Sequence, residues 1–291
     1  MAERVLIDAA GGGMAPTPQR FRYGPVPTGF GDLRTPSGAG PHPVVILVHG
    51  GYWRARYGLD LMDGLGDDLA RRGVASWNIE YRRLGDPGGG WPGTFRDVAA
   101  AAERLRALAP EHHLDLMRVV TIGHSAGGHL ALWLAARRRA PIGALGDGEW
   151  ADLTGPNVLP LAGVISQAGV ADLTEGWRRK LSNDVITELL GGTPESVPER
   201  YAVADPALLL PLGLPQALVH GQDDDIVPIA ISRDYAAAAA SAGDPAHFRA
   251  VPGADHFDII NPRTDAWAVI IDELRAILAP LGPLPPALAP K

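Results

Sequence analysis

The 291-residue sequence contains no cysteine. Disulfide bridges, a thiolate nucleophile and a metal site with cysteine ligands are therefore excluded. No segment approaches the ~20 apolar residues that a helix needs to cross a bilayer. The N-terminal stretch MAERVLIDAAGGG has no apolar run behind basic residues, so we expect no secretory signal. These absences predict a cytoplasmic protein without a membrane partner.

A surplus of positive charge is also missing. The sequence has 26 Lys and Arg against 33 Asp and Glu, for a net charge of −7. Nucleic acid is therefore not expected as a partner, because it would require a basic patch. The hydrophobic fraction of 46% and the charged fraction of 20% are typical of a globular protein. The length suits one large domain, and the sequence leaves the oligomeric state open.

Short apolar, β-branched runs alternate with longer helical patterns along the chain. This alternation predicts the α/β fold class, with a mostly parallel central sheet and helices on both faces. The predicted strands are Pro43–Val48, Val74–Tyr81, Arg118–Ile122, Ala162–Gln167, Gln216–His220 and Phe248–Val251. The predicted helices are Leu59–Arg72, Pro92–Ala109, Ala126–Arg138, Ile229–Ala242 and Pro262–Leu278. Antiparallel strands at one edge are predicted near Arg20–Tyr23 and Asp32–Leu33.

One region departs from this alternation. The segment Ala171–Pro211 is too long for a simple crossover, and we expect short helices there, such as Asp184–Leu190. They would form a small lid insertion over the C-terminal edge of the sheet; a structural excursion that never contacts substrate is the alternative. Residues 280–291 are proline-rich and predict a flexible tail. Residues 1–291 are otherwise predicted to form a single domain.

The strongest chemical signal is the sequence GHSAG at positions 123–127, between the strand RVVTI and an Ala/Leu-rich helix. In this strand–turn–helix setting, G-x-S-x-G is typical of a nucleophile elbow, whose strained turn makes the hydroxyl of Ser125 protrude. Because the turn opens a helix, the backbone N–H of Ala126 can face a developing oxyanion. Ser125 is therefore the candidate nucleophile, with Ala126 as an oxyanion donor.

A serine hydroxyl is a poor nucleophile unless a base takes its proton. The partners of an elbow serine follow in the order acid, then histidine, each after a later strand. Asp224 follows the strand Gln216–His220 with the spacing HGxxDxxVP, and His256 lies on the loop after the last strand. Asp223 and Asp225 flank this acid, and we expect them to cap the next helix or to stay solvated. The predicted triad is Ser125, Asp224 and His256.

The sequence HGGYW at positions 49–53 follows the central strand and predicts a second set of oxyanion donors. Its glycines let the backbone approach the substrate, so the N–H groups of Gly51 and Tyr52 are the candidate donors. His49 is expected to hold this loop by hydrogen bonding. The residues predicted to line an aryl or acyl pocket are Tyr52, Trp53, Trp91, Trp177 and Phe257. Half-buried packing is the alternative for the tryptophans.

These motifs, with Glu80-Tyr81-Arg82, Trp91-Pro92 and Asp97, resemble the esterase branch of the α/β-hydrolase superfamily that is related to hormone-sensitive lipase. The form HGGYW is also similar to the kynurenine formamidases (arylformamidases), whose oxyanion loop reads HGG-x-W. The resemblance covers about Tyr23 to Leu278 and implies an α/β-hydrolase fold. One departure is Tyr52, which replaces the third glycine of the lipase-like HGGG and places an aromatic ring beside the site.

The predicted activity is that of a serine hydrolase that uses no metal and no organic cofactor. Its small-molecule substrate is a small carboxylic ester, as for a carboxylesterase, or an N-formyl aryl amide, as for an arylformamidase. The HGGYW loop favours the amide, whereas the breadth of the esterase branch favours the ester. A non-catalytic ligand-binding protein of the same fold is the alternative from another class. The presence of all three triad members and both oxyanion elements disfavours it.

Overall fold

The computed structural model describes residues 15–290, so the N-terminal stretch in which no secretory signal is predicted lies outside the described residues. Within this range the strands are Gln19–Arg22 (β1), Phe30–Arg34 (β2), His42–Val48 (β3), Ala75–Ile79 (β4), Leu114–His124 (β5), Gly163–Gln167 (β6), Gln216–Gly221 (β7) and Ala246–Val251 (β8). The α-helices are Asp63–Arg71 (α1), Gly93–His112 (α2), Ala126–Ala136 (α3), Leu173–Arg178 (α4), Leu181–Leu190 (α5), Pro198–Ala204 (α6), Ile229–Ser241 (α7) and Asp265–Leu278 (α8). None of these helices has the length and apolar character needed to cross a membrane.

The strands form one sheet in the order β1-β2-β4-β3-β5-β6-β7-β8. In this order, each pair of neighbouring strands from β4 to β8, including β3, is parallel. Strands β1 and β2 add an antiparallel edge next to β4. The sheet confirms the predicted α/β class and the mostly parallel arrangement. The antiparallel pair also lies where the sequence predicts it, near Arg20–Tyr23 and Asp32–Leu33.

Strand β3 shows why the sheet is covered on both faces. Its seven residues are all buried, and successive side chains of a strand point to opposite faces. Val44, Ile46 and Val48 pack in one hydrophobic layer, while Val45 and Leu47 pack in the other. A strand that is apolar on both faces is stable only between two layers of helices.

The helices divide between these two layers. Buried residues of α1 and α8, among them Leu65 and Ile270, pack with Val45 and Leu47. Buried residues of α2, α3 and α7, among them Phe95, Leu130 and Tyr235, pack in the layer of Val44. Since strands β3 to β8 all run parallel to one another, the loops that follow them leave the sheet at the same edge. The predicted triad and oxyanion loops all lie in such positions.

The predicted lid segment Ala171–Pro211 contains α4, α5, α6 and the 3₁₀ turn Pro206–Leu209. Helix α5 contacts the loops beside the HGGYW sequence, since the Trp91 N–H donates to the Leu189 carbonyl at 2.7 Å and Arg54 pairs with Glu188 at 3.1 Å. The helix begins at Leu181, three residues before the predicted Asp184, but positions 182–184 have positive φ angles and regular helical geometry starts only at Val185. A lid function for this segment stays a prediction.

The proline-rich C-terminal segment packs against the domain, unlike the flexible tail that its composition predicts. Leu288 is fully buried in the layer of α1 and α8, and its carbonyl accepts a hydrogen bond from Arg275. The Arg118 guanidinium donates to the Pro283 carbonyl at 3.0 Å. These two contacts satisfy backbone carbonyls of a segment that has few N–H groups of its own, since proline has none to donate.

Candidate active site

Ser125 lies in a strained turn between β5 and α3. Its φ angle of 56° and ψ angle of −119° are unfavourable for a residue that carries a Cβ. The neighbouring glycines make this turn possible: a Cβ on Gly123 would lie 2.0 Å from the Gly127 carbonyl oxygen, and one on Gly127 would lie 2.1 Å from the Val48 oxygen. The spacing of the two glycines around Ser125 therefore has a steric cause in this chain.

The backbone around Ser125 is held by the next strand. The Ser125 N–H donates to the Gln167 carbonyl at the end of β6, at 2.8 Å. Ala126 begins α3, and the first N–H groups of a helix have no partner inside it. The Ala126 N–H is thus available to a negative oxygen beside the serine.

His256 and Asp224 are in direct contact. The imidazole Nδ1 lies 2.6 Å from Asp224 Oδ2, and both side chains are almost completely buried. The other oxygen, Asp224 Oδ1, accepts the backbone N–H groups of Ile226 and Val227 at 2.9 Å each. A proton on Nδ1 leaves the Nε2 lone pair of His256 free to accept another. His256 and Ser125 line the same cavity.

The carboxyl group of Asp224 is strongly acidic. Burial by itself raises its pKa, but the hydrogen bonds from the imidazoles of His220 and His256 and from the backbone outweigh burial and hold the pKa well below its usual range. Asp224 therefore stays ionised at neutral pH. Asp223 and Asp225, its neighbours in the sequence, are exposed to solvent.

The loop at positions 49–53 has an unusual backbone. Gly51, Tyr52 and Trp53 all have positive φ angles, and a Cβ on Gly51 would lie 2.4 Å from the ring of Tyr57. The loop is held from behind by His49, which is fully buried and whose Nε2 lies 2.9 Å from Glu80 Oε1. This contact agrees with the structural role that the sequence predicts for His49.

The carbonyl of His49 is fixed as well. Tyr81 donates its hydroxyl to this oxygen at 2.7 Å, and its ring stacks on the His49 imidazole with a centroid distance of 4.3 Å. The backbone from His49 to Gly51 is thus restrained before any ligand binds. Restraint of this kind is what an oxyanion site requires of its backbone donors.

The cavity at the triad has a volume of about 80 Å³. It is lined by Gly51, Tyr52, Tyr57, Leu61, His124, Ser125, Ile226, His256 and Phe257. Tyr52 crosses from the loop at positions 49–53 to the loop of Asp224, where its hydroxyl donates to the Ile226 carbonyl at 2.9 Å. Burial raises the pKa of Tyr52 to about 12, so the hydroxyl remains a donor. Phe257 is about half exposed at the same cavity.

The three tryptophans predicted for the pocket do not line this cavity. Trp53 is fully buried and packs edge-to-face on His129 with a centroid distance of 5.4 Å. Trp91 packs in the same way on Phe95, at 5.2 Å, and Trp177 packs against the hydrophobic core. For Trp53 the prediction is corrected, because its side chain is fully buried in the hydrophobic core. Only Tyr52 and Phe257 of the predicted set lie at the cavity.

Two histidines beside the triad do not appear among the predicted site residues. His220 contacts Asp224, with its Nε2 lying 3.0 Å from Oδ2. His124 donates from Nε2 to the His256 carbonyl at 2.8 Å, so the turn at Ser125 is connected to the loop that carries His256. Burial lowers the pKa of His124 to about 3, so this imidazole stays neutral. Their positions in the sequence offered a signal, since His220 ends the predicted strand Gln216–His220 and His124 directly precedes Ser125.

Within residues 15–290, no group of three or more His, Cys, Asp or Glu side chains is arranged to hold a metal ion. The polar groups at the cavity are instead a hydroxyl, imidazoles and phenols. Such groups support nucleophilic attack and proton transfer.

The sequence of this chain is similar to a known family and to known esterases. The BD-FAE family matches residues 32–238, a range that includes Ser125 and Asp224 and ends before His256. The chain is 28% identical over 221 residues to the esterase LipQ of Mycobacterium tuberculosis, which covers 75% of this chain and 51% of LipQ. It is 25% identical over 246 residues to a probable isoprenylcysteine alpha-carbonyl methylesterase, ICMEL1, of Arabidopsis thaliana, covering 81% of this chain and 50% of that protein. The chain thus spans about half the length of the curated relatives it matches.

Solved structures show the same fold. The thermophilic esterase Est2 of Thermogutta terrifontis superposes with a TM-score of 0.73 at 23% identity, covering 93% of this chain and 95% of Est2. Esterase B of Lactobacillus rhamnosis also superposes with a TM-score of 0.73, at 21% identity, covering 92% of this chain and 87% of that one. The predicted α/β-hydrolase fold is confirmed by these superpositions.

Proposed function

Because the chain belongs to the BD-FAE family of α/β-hydrolase esterases, we propose that it hydrolyses small carboxylic esters through an acyl-enzyme on Ser125. The observation that carries this proposal is the 2.6 Å contact between His256 Nδ1 and the ionised Asp224, beside a cavity that His256 and Ser125 both line. A histidine held in this way by a buried carboxylate is the arrangement that activates a serine hydroxyl.

The reaction has two halves. His256 Nε2 takes the proton of the Ser125 hydroxyl as its oxygen attacks the ester carbonyl carbon. The N–H groups of Gly51, Tyr52 and Ala126 donate to the resulting oxyanion, and Asp224 stabilises the imidazolium. His256 then protonates the departing alcohol, which leaves the acyl group on Ser125. A water molecule, deprotonated by His256, repeats the attack and releases the acid and the free serine.

The cavity volume supports a short acyl group. The cavity at Ser125 is small, with a volume of about 80 Å³, and Tyr52, Tyr57 and Phe257 are among its lining residues. We infer that it accepts an acetyl or butyryl chain and that a dodecanoyl chain does not fit inside it. We propose that the site acts on an ester rather than an N-formyl aryl amide.

A cytoplasmic location remains a prediction from the cysteine-free sequence.

We expect p-nitrophenyl acetate and butyrate to exceed the dodecanoate in kcat/KM by at least about tenfold, because a longer chain is rejected sterically. The measurement is initial rates over a panel of p-nitrophenyl esters, with an N-formyl aryl amide as a separate arm. Faster turnover of the amide than of every ester would reassign the substrate to the arylformamidase class. Absence of turnover, together with no labelling by a fluorophosphonate probe, would indicate a binding protein.

Replacing Tyr52 by glycine should relax this chain-length preference. The change removes the ring that crosses the cavity to Ile226 but keeps the backbone N–H, and glycine adopts the φ angle of 51° without strain. Tyr52→Phe is the matched control, since it keeps the ring and loses only the hydroxyl. We expect the ratio of dodecanoate to butyrate kcat/KM to rise about tenfold in Tyr52→Gly and to stay within about twofold in Tyr52→Phe. An unchanged ratio in Tyr52→Gly would show that another element limits chain length.

A further inference from the structure

His220 is the next-to-last residue of strand β7 and is fully buried behind the proposed acid. Its Nε2 lies 3.0 Å from Asp224 Oδ2 and 3.0 Å from the Val227 carbonyl oxygen. Its Nδ1 lies 2.8 Å from the hydroxyl of Ser232, a buried residue of α7. The imidazole therefore joins helix α7 to the carboxylate that contacts His256.

The surroundings determine which ring nitrogen carries the proton. Both neighbours of Nε2 are oxygens without a hydrogen to donate, since Asp224 is ionised. Nε2 must therefore be the N–H donor. It donates to the Val227 carbonyl, and Asp224 Oδ2, at the same distance of 3.0 Å, is the second and less well aligned acceptor. Nδ1 is then an acceptor, and the Ser232 hydroxyl is placed to donate to it.

These contacts complete the set of donors around Asp224. Its Oδ1 accepts two backbone N–H groups, from Ile226 and Val227, and its Oδ2 accepts from the imidazoles of His256 and His220. A carboxylate has about four lone-pair sites, so these four donors leave none unfilled. A carboxylate held at every site cannot rotate without losing hydrogen bonds in a buried environment, where such losses are costly.

We propose that His220 is a positioning residue that orients Asp224 Oδ2 toward His256 Nδ1. This role rests on the proposed function, because it acts through the acid of the triad and touches no substrate. Without the His220 donor, Oδ2 would have one buried lone pair unfilled, and the carboxylate could turn away from the line to His256. The imidazole of His256 would then be held less well, which lowers kcat and leaves substrate binding intact.

Two amide substitutions separate this role from a merely structural one. In His220→Gln the amide nitrogen occupies the place of Nε2 and can still donate to Asp224, whereas in His220→Asn the shorter amide reaches only the place of Nδ1. We expect kcat for p-nitrophenyl butyrate to fall about 10- to 100-fold in His220→Asn and to stay within about threefold in His220→Gln. KM should change less than about twofold in both variants. His247→Asn, at an exposed histidine, is the control and should match the wild type.

A second measurement tests whether His220 acts through Asp224. In the Asp224→Asn background, His220→Asn should cause no more than about a twofold further loss in kcat, because residues that act as a unit are not additive. Equal losses in His220→Gln and His220→Asn, or an additive loss with Asp224→Asn, would overturn the proposal. If His220→Asn does not fold, as judged by circular dichroism, His220→Gln alone tests the proposal. A loss in kcat above about tenfold in a folded His220→Gln variant would then contradict the proposed role of His220.

The outcomes also separate this inference from the proposed function. A wild-type protein that hydrolyses no ester and does not react with a fluorophosphonate overturns both. An active wild type in which His220→Asn keeps full kcat overturns only the role of His220.

Discussion

Replacement of Ser125 by alanine is expected to lower kcat for the best ester by at least about 10⁴-fold, because no acyl-enzyme can form without the hydroxyl. The fold should persist. Alanine keeps the Cβ, so the backbone strain at a φ angle of 56° is the same in the variant. The backbone hydrogen bond from residue 125 to the Gln167 carbonyl is also kept.

The measurement is kcat on p-nitrophenyl butyrate, with circular dichroism to verify folding and a fluorophosphonate probe to report on the nucleophile. Ser241→Ala makes the same chemical change at an exposed serine at the end of α7 and should leave kcat and labelling unchanged. A Ser125→Ala protein that keeps a tenth of the wild-type kcat, or that is still labelled, would show that the nucleophile lies elsewhere.

Replacement of Asp224 by asparagine is expected to reduce kcat by about 10³- to 10⁴-fold. The backbone N–H groups of Ile226 and Val227 point at the Oδ1 position, so the amide oxygen of the asparagine must lie there. The amide NH₂ group then faces His256 Nδ1 at the position of Oδ2. A donor at that position forces the His256 proton onto Nε2, where it blocks acceptance of the serine proton.

Asp223→Asn and Asp225→Asn are matched controls, because they make the same change at exposed carboxylates on either side. Each should keep kcat within about threefold of wild type, since an exposed charge is screened by solvent. The three variants are compared in kcat on one ester at the same pH. A larger loss at either neighbour than at Asp224 would move the acid to that residue.

Much of the sheet could be predicted because its signal is local. Strand β3 is an unbroken apolar run, and its predicted start at Pro43 differs by one residue from the observed His42. Helix α2 repeats apolar residues at helical spacing, although it continues three residues beyond the predicted Ala109, to His112. Strand β5 begins at Leu114, four residues before the predicted Arg118, and residues 115–117 of this extension are not fully buried. Patterns of this kind depend on neighbours a few positions away, so they can be read without a structure.

The candidate triad could also be proposed from local context, since Ser125, Asp224 and His256 each follow a strand of a predicted parallel sheet. Local sequence patterns do not give the distances between these side chains. The contact of His256 with Asp224 joins residues 32 positions apart in the chain, and that of Tyr52 with Ile226 joins residues 174 positions apart. Whether such side chains meet depends on how the loops are packed.

The sequence by itself determined the order of strands and helices, the glycines that permit the elbow at Ser125, and the chemical types at the carboxyl ends of the strands. These features follow from the periodic spacing of hydrophobic residues and from backbone sterics, which both act over short stretches of chain. Only the tertiary structure decided that Trp53 is buried in the core, that Leu288 packs under α8, and that His220 contacts the proposed acid. Burial and side-chain contact are properties of residues brought together from distant parts of the chain, and no local pattern encodes which of them become neighbours.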